Sequence, residues 1–288
     1  MPALIDLRRR IKSVRNTQQI TQAMKTVSSA KFRKAQRLVL EGRPYFRGLS
    51  GIVEHVALWA EWFYHPLFEE REEKHIEGLV VTSDKGLCGA FNSNLLEQTI
   101  SFFHKKAEAA KVSLVLVGKK ALLRFRKEPF PVEMSFRGNV DKLSHEDMRK
   151  ISVFLKKKFI LKKVDAVYIA YNEFRSILSP KIKILRLLPL VAPEVETGER
   201  LIPPAWEPEA FGVVNSLLPH FVDIFISHIF QESQAAEHAA RMMAMDNATK
   251  NAEELIEDLT LVLNKVRQAS ITKELLEIMT AVEALSEK

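Results

Sequence analysis

Seam positions recur at alternating three- and four-residue spacings at both ends of the chain. Near the N-terminus the series is Leu4, Leu7, Ile11, Val14, Gln18, Thr21, Lys25, Ser28, Phe32, Ala35 and Val39, apolar at its ends and polar in its middle. A second series with this spacing runs from Phe221 to Val266. The alternation is that of a coiled-coil seam, so it predicts two long helices that each need a partner. The first should run from residue 3 to about 57, because glycine is absent before Gly42 and proline between Pro2 and Pro44.

Between these helices the pattern changes to short apolar runs. The runs predict strands at Ile76–Thr82, Val112–Val117, Val164–Tyr171 and Lys181–Leu188, with helices at Leu95–Ala110, Lys119–Lys127 and Ser144–Lys163. Such alternation is typical of a small Rossmann-like α/β domain with a largely parallel sheet. We therefore expect an α/β protein in which a long antiparallel coiled coil (1–60 and 209–288) carries this domain (74–190), followed by a proline-rich linker (191–208).

The two seams predict how the terminal helices pair. If they run antiparallel, facing residue numbers should sum to 266 or 267, which pairs Leu7 with Leu259, Ile11 with Ile256, Val14 with Ala252, Gln18 with Thr249 and Thr21 with Met245. A slip of one heptad preserves most of the pattern. The placement of Arg8, Arg9 and Lys12 beside Asp258, Glu257 and Glu254 favours this register, although exposed ion pairs contribute little each.

This register leaves residues 264–285 without a helical partner. The segment is apolar around most of its circumference, with Val266, Ile271, Leu275, Leu276, Ile278, Met279 and Val282. A lone apolar helix is unstable in water. We therefore expect this end of the chain to sit inside another protein.

The polar middle of the first seam has two interpretations. Gln18, Thr21, Lys25 and Ser28 could fix the register, as polar seam residues do in zippers. They could equally form a neck that slides against partner loops and must not adhere to them. The basic residues from Arg8 to Arg15 are either a solvated face or a surface for acidic partner segments.

Composition narrows the function classes. The chain has 288 residues, a net charge of +7 and one cysteine, Cys88, so it has no internal disulfide or multi-cysteine metal site. No membrane span or secretory signal is predicted, which favours the cytoplasmic side. The excess of basic residues in the first helix leaves open a basic coiled-coil adaptor that binds nucleic acid. Phe32, however, is the only aromatic residue among the first 40, which weakens base stacking.

No catalytic constellation is visible in the sequence. The run Ser83-Asp-Lys-Gly-Leu-Cys-Gly follows a strand and precedes a helix, but lacks the Gly-Lys-Ser/Thr ending of a phosphate loop, so a tight turn is the favoured interpretation. The histidines have no zinc-binding spacing. His228 and His238 fall on the seam and are interpreted as packed interhelical side chains. We expect no cofactor, no metal and no enzymatic activity in this chain alone.

Three blocks carry a resemblance across the whole chain. They are IKSVRNTQQITQAMKTVSSAK from Ile11, SDKGLCGAFN from Ser83 and LNKVRQASITKELLEI from Leu263. In this order and at these distances they resemble the gamma subunits of F-type ATP synthases. The resemblance implies a central stalk that couples ion-driven rotation of a membrane c ring to ATP synthesis or hydrolysis in a ring of alpha and beta subunits.

The resemblance also assigns roles to residues of this chain. It implies that Met24 and Lys25 face the beta subunits at the neck, and that Arg267, Gln268, Thr272 and Glu274 contact the alpha/beta ring at the tip. It further implies that Arg43, Pro44, Tyr45, Trp206 and Glu207 form a foot that contacts the epsilon subunit and the c ring. The chain would then be a peripheral protein on the cytoplasmic face of a bacterial inner membrane, with no inserted segment and no bound nucleic acid.

The chain departs from the family pattern near its end. Ala281-Val282 stands where the family usually has Gly-Ala, which affects the local bend or fit of the tip. The cysteine insert of chloroplast forms and a transit peptide are both missing, so thiol switching is not expected and a bacterial source is the simplest.

Overall fold

A computed structural model describes residues 2–58, 65–136, 144–176, 180–190 and 210–286. Its helices are α1 (Pro2–Ala57), α2 (Phe91–Ala107), α3 (Lys119–Phe125), α4 (His145–Ile160) and α5 (Ala210–Ser286). Its strands are β1 (His75–Val81), β2 (Lys111–Val117), β3 (Val132–Phe136), β4 (Ala166–Glu173) and β5 (Lys181–Leu188). The predicted first helix and four predicted strands are confirmed to within a few residues.

The five strands form one sheet in the order β3-β2-β1-β4-β5. β1 pairs in parallel with β2 and β4, β3 pairs in parallel with β2, and β5 is the antiparallel edge. The expected α/β class with a largely parallel sheet is confirmed. β3 was not predicted, because its Val-Glu-Met-Ser-Phe sequence has the mixed polarity of an exposed edge strand and no long apolar run.

The sheet buries a different core on each face. Ile76 and Val80 of β1 pack toward α2 and α3, around Phe103 and Phe125. On the other face Leu79 and Val81 belong to a core built from α1, α4 and α5. Members of this second core include Leu49, Val53, Ile151, Leu155, Val222 and Ile226. Side chains of a strand alternate between faces, which is why one strand serves both cores.

The chain divides into two compact units. The first unit consists of Met1–Ser28 and Met242–Lys288, and the second of Ser29–Arg241. The second unit therefore contains the whole sheet together with the adjoining parts of α1 and α5. The predicted assignment of a domain to 74–190 remains a prediction.

Within the first unit the helices are antiparallel, as expected, but in a different register. Thr21 Oγ1 lies 2.8 Å from Thr249 Oγ1, and Lys25 Nζ lies 2.6 Å from Asp246 Oδ1. The residue numbers of the threonine pair sum to 270, which displaces the seam by about one helical turn from the predicted pairing of Thr21 with Met245. Among the described residues no ion pair joins Arg8, Arg9 or Lys12 to α5, so the charge match that favoured the predicted register was misleading.

The register shift shortens the unpartnered end of α5. Ala252 is buried, and Ile256, Leu259 and Val266 are half-buried, as is Ser270. Every residue from 271 to 282 is exposed. The partnerless segment therefore begins at about residue 271, and the predicted start at 264 was wrong because the seam continues for two further turns.

By length and composition alone, the helix from Gly212 to Val282 contains a stretch apolar enough to cross a membrane, a test that core helices of soluble proteins also pass. Much of the apolar character near its start is accounted for by packing. Val214, Leu218, Val222 and Ile226 are buried in the core of the second unit.

Candidate functional site

The predicted neck residues lie on α1 in the first unit. Met24 and Lys25 are both half-buried. Asp246 accepts from Lys25 and, at 3.2 Å, lies near Lys250 as well. The hydrogen bond from Lys25 is the main reason that the pKa of Asp246 is lowered, and Lys250 adds to it. The Lys25 ammonium is therefore held by an acid of its own chain.

Next to this pair lies a layer of hydroxyl groups. The Thr249 hydroxyl lies 2.8 Å from both Thr21 Oγ1 and the Met245 carbonyl, and Thr21 donates to the Gln18 carbonyl. An open groove beside the layer is lined almost entirely by uncharged polar side chains, namely Gln18, Gln19, Gln22, Thr26 and Thr249, with Ala23 and Glu253. Such a surface offers few apolar contacts to a neighbour. Both interpretations of the polar middle are compatible with this arrangement.

The predicted tip residues are all on the surface. Arg267, Gln268, Thr272 and Glu274 are exposed. They share the end of α5 with large apolar side chains that are at least half exposed, namely Ile271, Leu275, Leu276, Ile278, Met279 and Val282. This density of exposed apolar groups is typical of a surface that another protein covers.

The predicted foot residues are separated by the structure. Pro44 and Tyr45 lie on the exposed side of α1, with Tyr45 57% exposed and its hydroxyl 3.4 Å from His220 Nε2. Arg43 instead turns inward, where it donates to the Phe174 carbonyl at 2.6 Å and to Glu232 at 3.1 Å. Trp206 and Glu207 lie outside the described residues.

The 83–89 loop after β1 is tied down by its own chain. Ser83 donates through its hydroxyl to the Lys85 carbonyl at 2.7 Å and through its backbone to Asn92 Oδ1 at 3.1 Å. Leu87 and Gly89 adopt positive φ angles of 62° and 57°, the left-handed conformation of tight turns. The favoured interpretation of this segment as a tight turn is confirmed.

Arg241 of α5 completes this loop. Its guanidinium donates to the carbonyls of Gly86 at 3.3 Å and Lys85 at 3.4 Å, and to Glu237 at 2.6 Å. Arg241, Glu237 and Glu232 were not predicted as site residues from the sequence. The Glu237–Arg241 pair has the four-residue spacing of a helical ion pair, which is the one local signal that could have drawn attention to it.

The seam histidines are packed within the chain. The His228 ring stacks on Phe46 with 4.2 Å between ring centroids, and its Nε2 lies 3.4 Å from Glu232 Oε1. His238 is buried beside Arg241. Across the part of the chain that the structure describes, no group of three or more His, Cys, Asp or Glu side chains could hold a metal ion. The interpretation of His228 as an interhelical packing residue is confirmed; for His238 the structure shows a buried side chain, and its packing between the helices stays a prediction.

A buried carboxylate lies at the amino end of the sheet. Glu77 of β1 is fully buried and accepts from Ser113 at 2.7 Å and from Lys158, which also pairs with Glu133 at 2.7 Å. Burial raises the pKa of Glu77 despite these partners. Its second oxygen, Oε1, has no partner among the described residues. We interpret this group as a costly structural element of the domain.

Comparison with known proteins places these features in one family. A family model described as ATP synthase matches residues 3–285. A protein of Pelotomaculum thermopropionicum named ATP synthase gamma chain is 42% identical over 285 residues, which cover 99% of this chain and 100% of that protein. A protein of Solibacter usitatus with the same name is 43% identical over 288 residues, 99% of each chain.

Solved structures share the fold at lower identity. A chain of the Euglena gracilis mitochondrial ATP synthase superposes with a TM-score of 0.68 at 18% identity, covering 99% of this chain and 95% of that one. A chain from the Tetrahymena thermophila mitochondrial ATP synthase central stalk and c-ring has a TM-score of 0.62 at 23% identity, covering 80% and 99%. The family model and the two full-length relatives show that this chain belongs to the ATP synthase gamma chain family.

Proposed function

We propose that this chain is the central rotor shaft of an F-type ATP synthase and has no catalytic site of its own. Its partners are the alpha and beta subunits, the epsilon subunit and the c ring. The observation that carries the proposal is the exposed apolar end of α5 at residues 271–282, because such a helix needs a protein surface around it. The similar chain from the Tetrahymena thermophila structure described as central stalk and c-ring supports it.

The shaft acts mechanically in this proposal. A shaft whose faces differ presents a different surface to each of three catalytic beta subunits, and its angle biases each between open and closed states. In the first unit the surface is uneven, because a largely uncharged groove at Gln18 and Thr249 and the charged Lys25–Asp246 pair both lie at the neck. Met24 and Lys25 would face the moving beta domains. The polar groove would let them slide without adhering.

The tip and the foot have different partners in this proposal. Arg267, Gln268, Thr272 and Glu274 would contact the alpha/beta ring, since all four are exposed among the apolar side chains of the tip. Pro44 and Tyr45 would contact epsilon and the c ring, joined by Trp206 and Glu207. Arg43 would support that surface from behind, because its guanidinium is bonded within the chain. The complex would lie on the cytoplasmic face of a bacterial inner membrane.

The nucleic-acid adaptor has no comparable support. Phe32, the one aromatic residue of the first 40, is 3% exposed and packs against Phe174, so it cannot stack on a base. The relatives compared above are ATP synthase gamma chains.

Copurification and truncation test the proposal. A tagged full-length chain extracted from membranes should bring alpha, beta and epsilon subunits with it, whereas recovery with nucleic acid and without those subunits would contradict the rotor assignment. A chain that ends after Val266 should lower ATP synthesis by the assembled complex roughly tenfold, equal to about 1.4 kcal/mol. The α/β domain should stay folded, because residues 267–288 belong to the first unit. Undiminished synthesis by the truncated chain would remove the role given to the tip.

A further inference from the structure

The carboxyl ends of β1 and β4 mark a special place in the sheet. β1 and β4 are neighbours, and the chain crosses from β1 to β2 on one side and reaches β4 on the other, so the strand order reverses between them. In open α/β sheets a ligand usually occupies the crevice at this point, outside the carboxyl ends of the strands. In this chain side chains from α1 and α5 occupy it.

Two arginines fill the crevice in the same way. Arg241 donates to the Lys85 and Gly86 carbonyls in the loop that follows β1, and Arg43 donates to the Phe174 carbonyl directly after β4. Each guanidinium is also held by a buried carboxylate of α5. Arg241 pairs with Glu237 at 2.6 Å and Arg43 with Glu232 at 3.1 Å, and both carboxylates are less than a tenth exposed.

The surrounding contacts tie this place to the neighbouring elements. The ring of Phe174 meets Phe32 of α1 edge-on, with 5.5 Å between centroids. Asn172 at the end of β4 donates to the Phe91 carbonyl at 3.3 Å, which connects the strand to the start of α2. A crevice that commonly holds a nucleotide is here a joint between a sheet and a helix pair.

We propose that Arg43 and Arg241 are positioning residues for torque transfer, which clamp the α/β sheet to the helix pair so that both turn as one body under load. This proposal rests on the rotor function proposed above. The hydrophobic attraction between the sheet and α5 is non-directional, so it does not by itself fix the orientation of the strand ends. Guanidinium groups bind in a fixed planar geometry, so each bonded carbonyl sets the orientation of the strand end relative to the helices.

The clamp matters when the rotor works against a load. Without load, the apolar core alone holds the sheet against the helices, so ATP hydrolysis by the complex needs no clamp. During synthesis, force enters through the part of the rotor nearest the membrane and must reach the neck. If the contact between the sheet and the helix pair is looser, the two move relative to each other, and part of each rotational step is lost in that movement.

The test uses Arg43→Lys, Arg241→Lys and the double variant in the complete complex, reconstituted in vesicles with an imposed gradient of the coupling ion. Lysine keeps the charge beside Glu232 and Glu237, so no buried acid is left unpaired, but it removes the planar fork. Lys106→Gln is the control, because Lys106 pairs with Glu73 at 2.6 Å, as closely as Arg241 pairs with Glu237, and its other hydrogen-bond partner among the described residues is Tyr168 of β4.

We expect the double variant to synthesise ATP roughly threefold more slowly or worse, while hydrolysis without a gradient stays within about twofold of the unmodified complex. Each single variant should show a smaller loss, and Lys106→Gln none. Amide hydrogen exchange in the 83–89 loop should accelerate in Arg241→Lys, which reports loosening without reference to activity.

Three results would overturn the clamp: synthesis at the unmodified rate in the double variant, equal losses of synthesis and hydrolysis, or the same loss in Lys106→Gln. If the double variant does not assemble, the single variants carry the same test. A complex with the unmodified chain that shows no coupling between gradient and synthesis would refute the rotor function itself, which is a separate outcome.

Discussion

The helix pair is a different structure in the two units, although one seam spacing runs through both. In the first unit Leu7, Ile11 and Val14 are only half-buried. In the second unit the equivalent seam residues Phe32 and Val39 are 3% and 0% exposed. Two helices alone cover only one stripe of each other, whereas in the second unit the sheet and α4 add further layers around the same pair.

The ion pairs of the two units also differ in how far they are buried. In the first unit the Lys25–Asp246 pair lies near the surface, with the two side chains 37% and 22% exposed. In the second unit Arg241 and Glu237 pair with both side chains under a tenth exposed. The seam spacing therefore fixes which residues face the partner helix. The sheet and α4, which pack around the helix pair in the second unit only, determine how deeply those residues are buried and how much they contribute to stability.

The largest expected effect is the difference in the free energy of unfolding between alanine substitutions at seam positions of the two units. Phe32→Ala should lower the free energy of unfolding of the second unit by about 4 kcal/mol, because a fully buried ring is removed from a packed site. Leu7→Ala, at the same kind of seam position in the first unit, should cost only about 1 kcal/mol, because its side chain is already half in water.

Amide hydrogen exchange of peptides from each unit measures both changes in the full chain. The comparison between the units requires that exchange accelerate mainly in the unit that carries the substitution. Similar losses from Phe32→Ala and Leu7→Ala would show that the two stretches of helix pair are equally buried in solution.

The second expected effect is an opposite response to pH. Burial raises the pKa of Glu77 in the second unit. Between the ordinary pKa of a glutamate, about 4.3, and its raised folded value, the unfolded chain has lost the proton that the folded chain keeps. The contribution of Glu77 to stability is therefore complete below that ordinary pKa and is lost as the pH rises through the folded value.

In the first unit the sign is reversed. Hydrogen bonds from Lys25 and Lys250 lower the pKa of Asp246, so its contribution is present above the ordinary aspartate pKa of about 3.9 and is lost as the pH falls through the folded value. Hydrogen exchange of each unit followed against pH should show the two trends. Glu77→Gln should flatten the pH dependence of the second unit, and Asp246→Asn should flatten that of the first unit. If the pH dependence of a unit is unchanged by its substitution, another group is responsible for the titration.

How well each region can be predicted from the sequence depends on how its residues are buried. The seam from Leu7 to Val39 could be read because burial on one stripe leaves a periodic signal. The exposed tip could be expected from Ile271, Leu275 and Met279, since apolar residues around a whole helix have no local partner. β3 was missed because an edge strand need not carry an apolar run.

The register of the helix pair and the contacts of Arg43 and Arg241 with the sheet could not be predicted from the sequence and are seen only in the folded chain. Heptad spacing is preserved by a slip, so it cannot distinguish a partner for Thr21 at Met245 from one at Thr249. The roles of Arg43 and Arg241 depend on carbonyls more than 100 residues away in sequence. The only local signal for Arg241 is its four-residue spacing from Glu237, and that spacing does not reveal the carbonyls it binds.

The smallest expected effect on stability is also the sharpest test of the polar layer. Replacing both hydroxyls in Thr21→Val with Thr249→Val removes both partners of one hydrogen bond and leaves no group unsatisfied, so the first unit should change by less than about 1 kcal/mol in either direction. The register of the first unit should become less unique, because apolar layers lose little when they slip past one another.

Crosslinking between pairs of introduced cysteines measures the register. The pair Val14→Cys with Ile256→Cys can crosslink in the observed register, and the pair Val14→Cys with Ala252→Cys can crosslink in the alternative register one turn away. In the otherwise unmodified chain the first pair should crosslink and the second should not, whereas both should crosslink once the threonines are replaced. If the valine variant still crosslinks through one pair alone, packing sets the register and the polar residues at the neck are left with the sliding role.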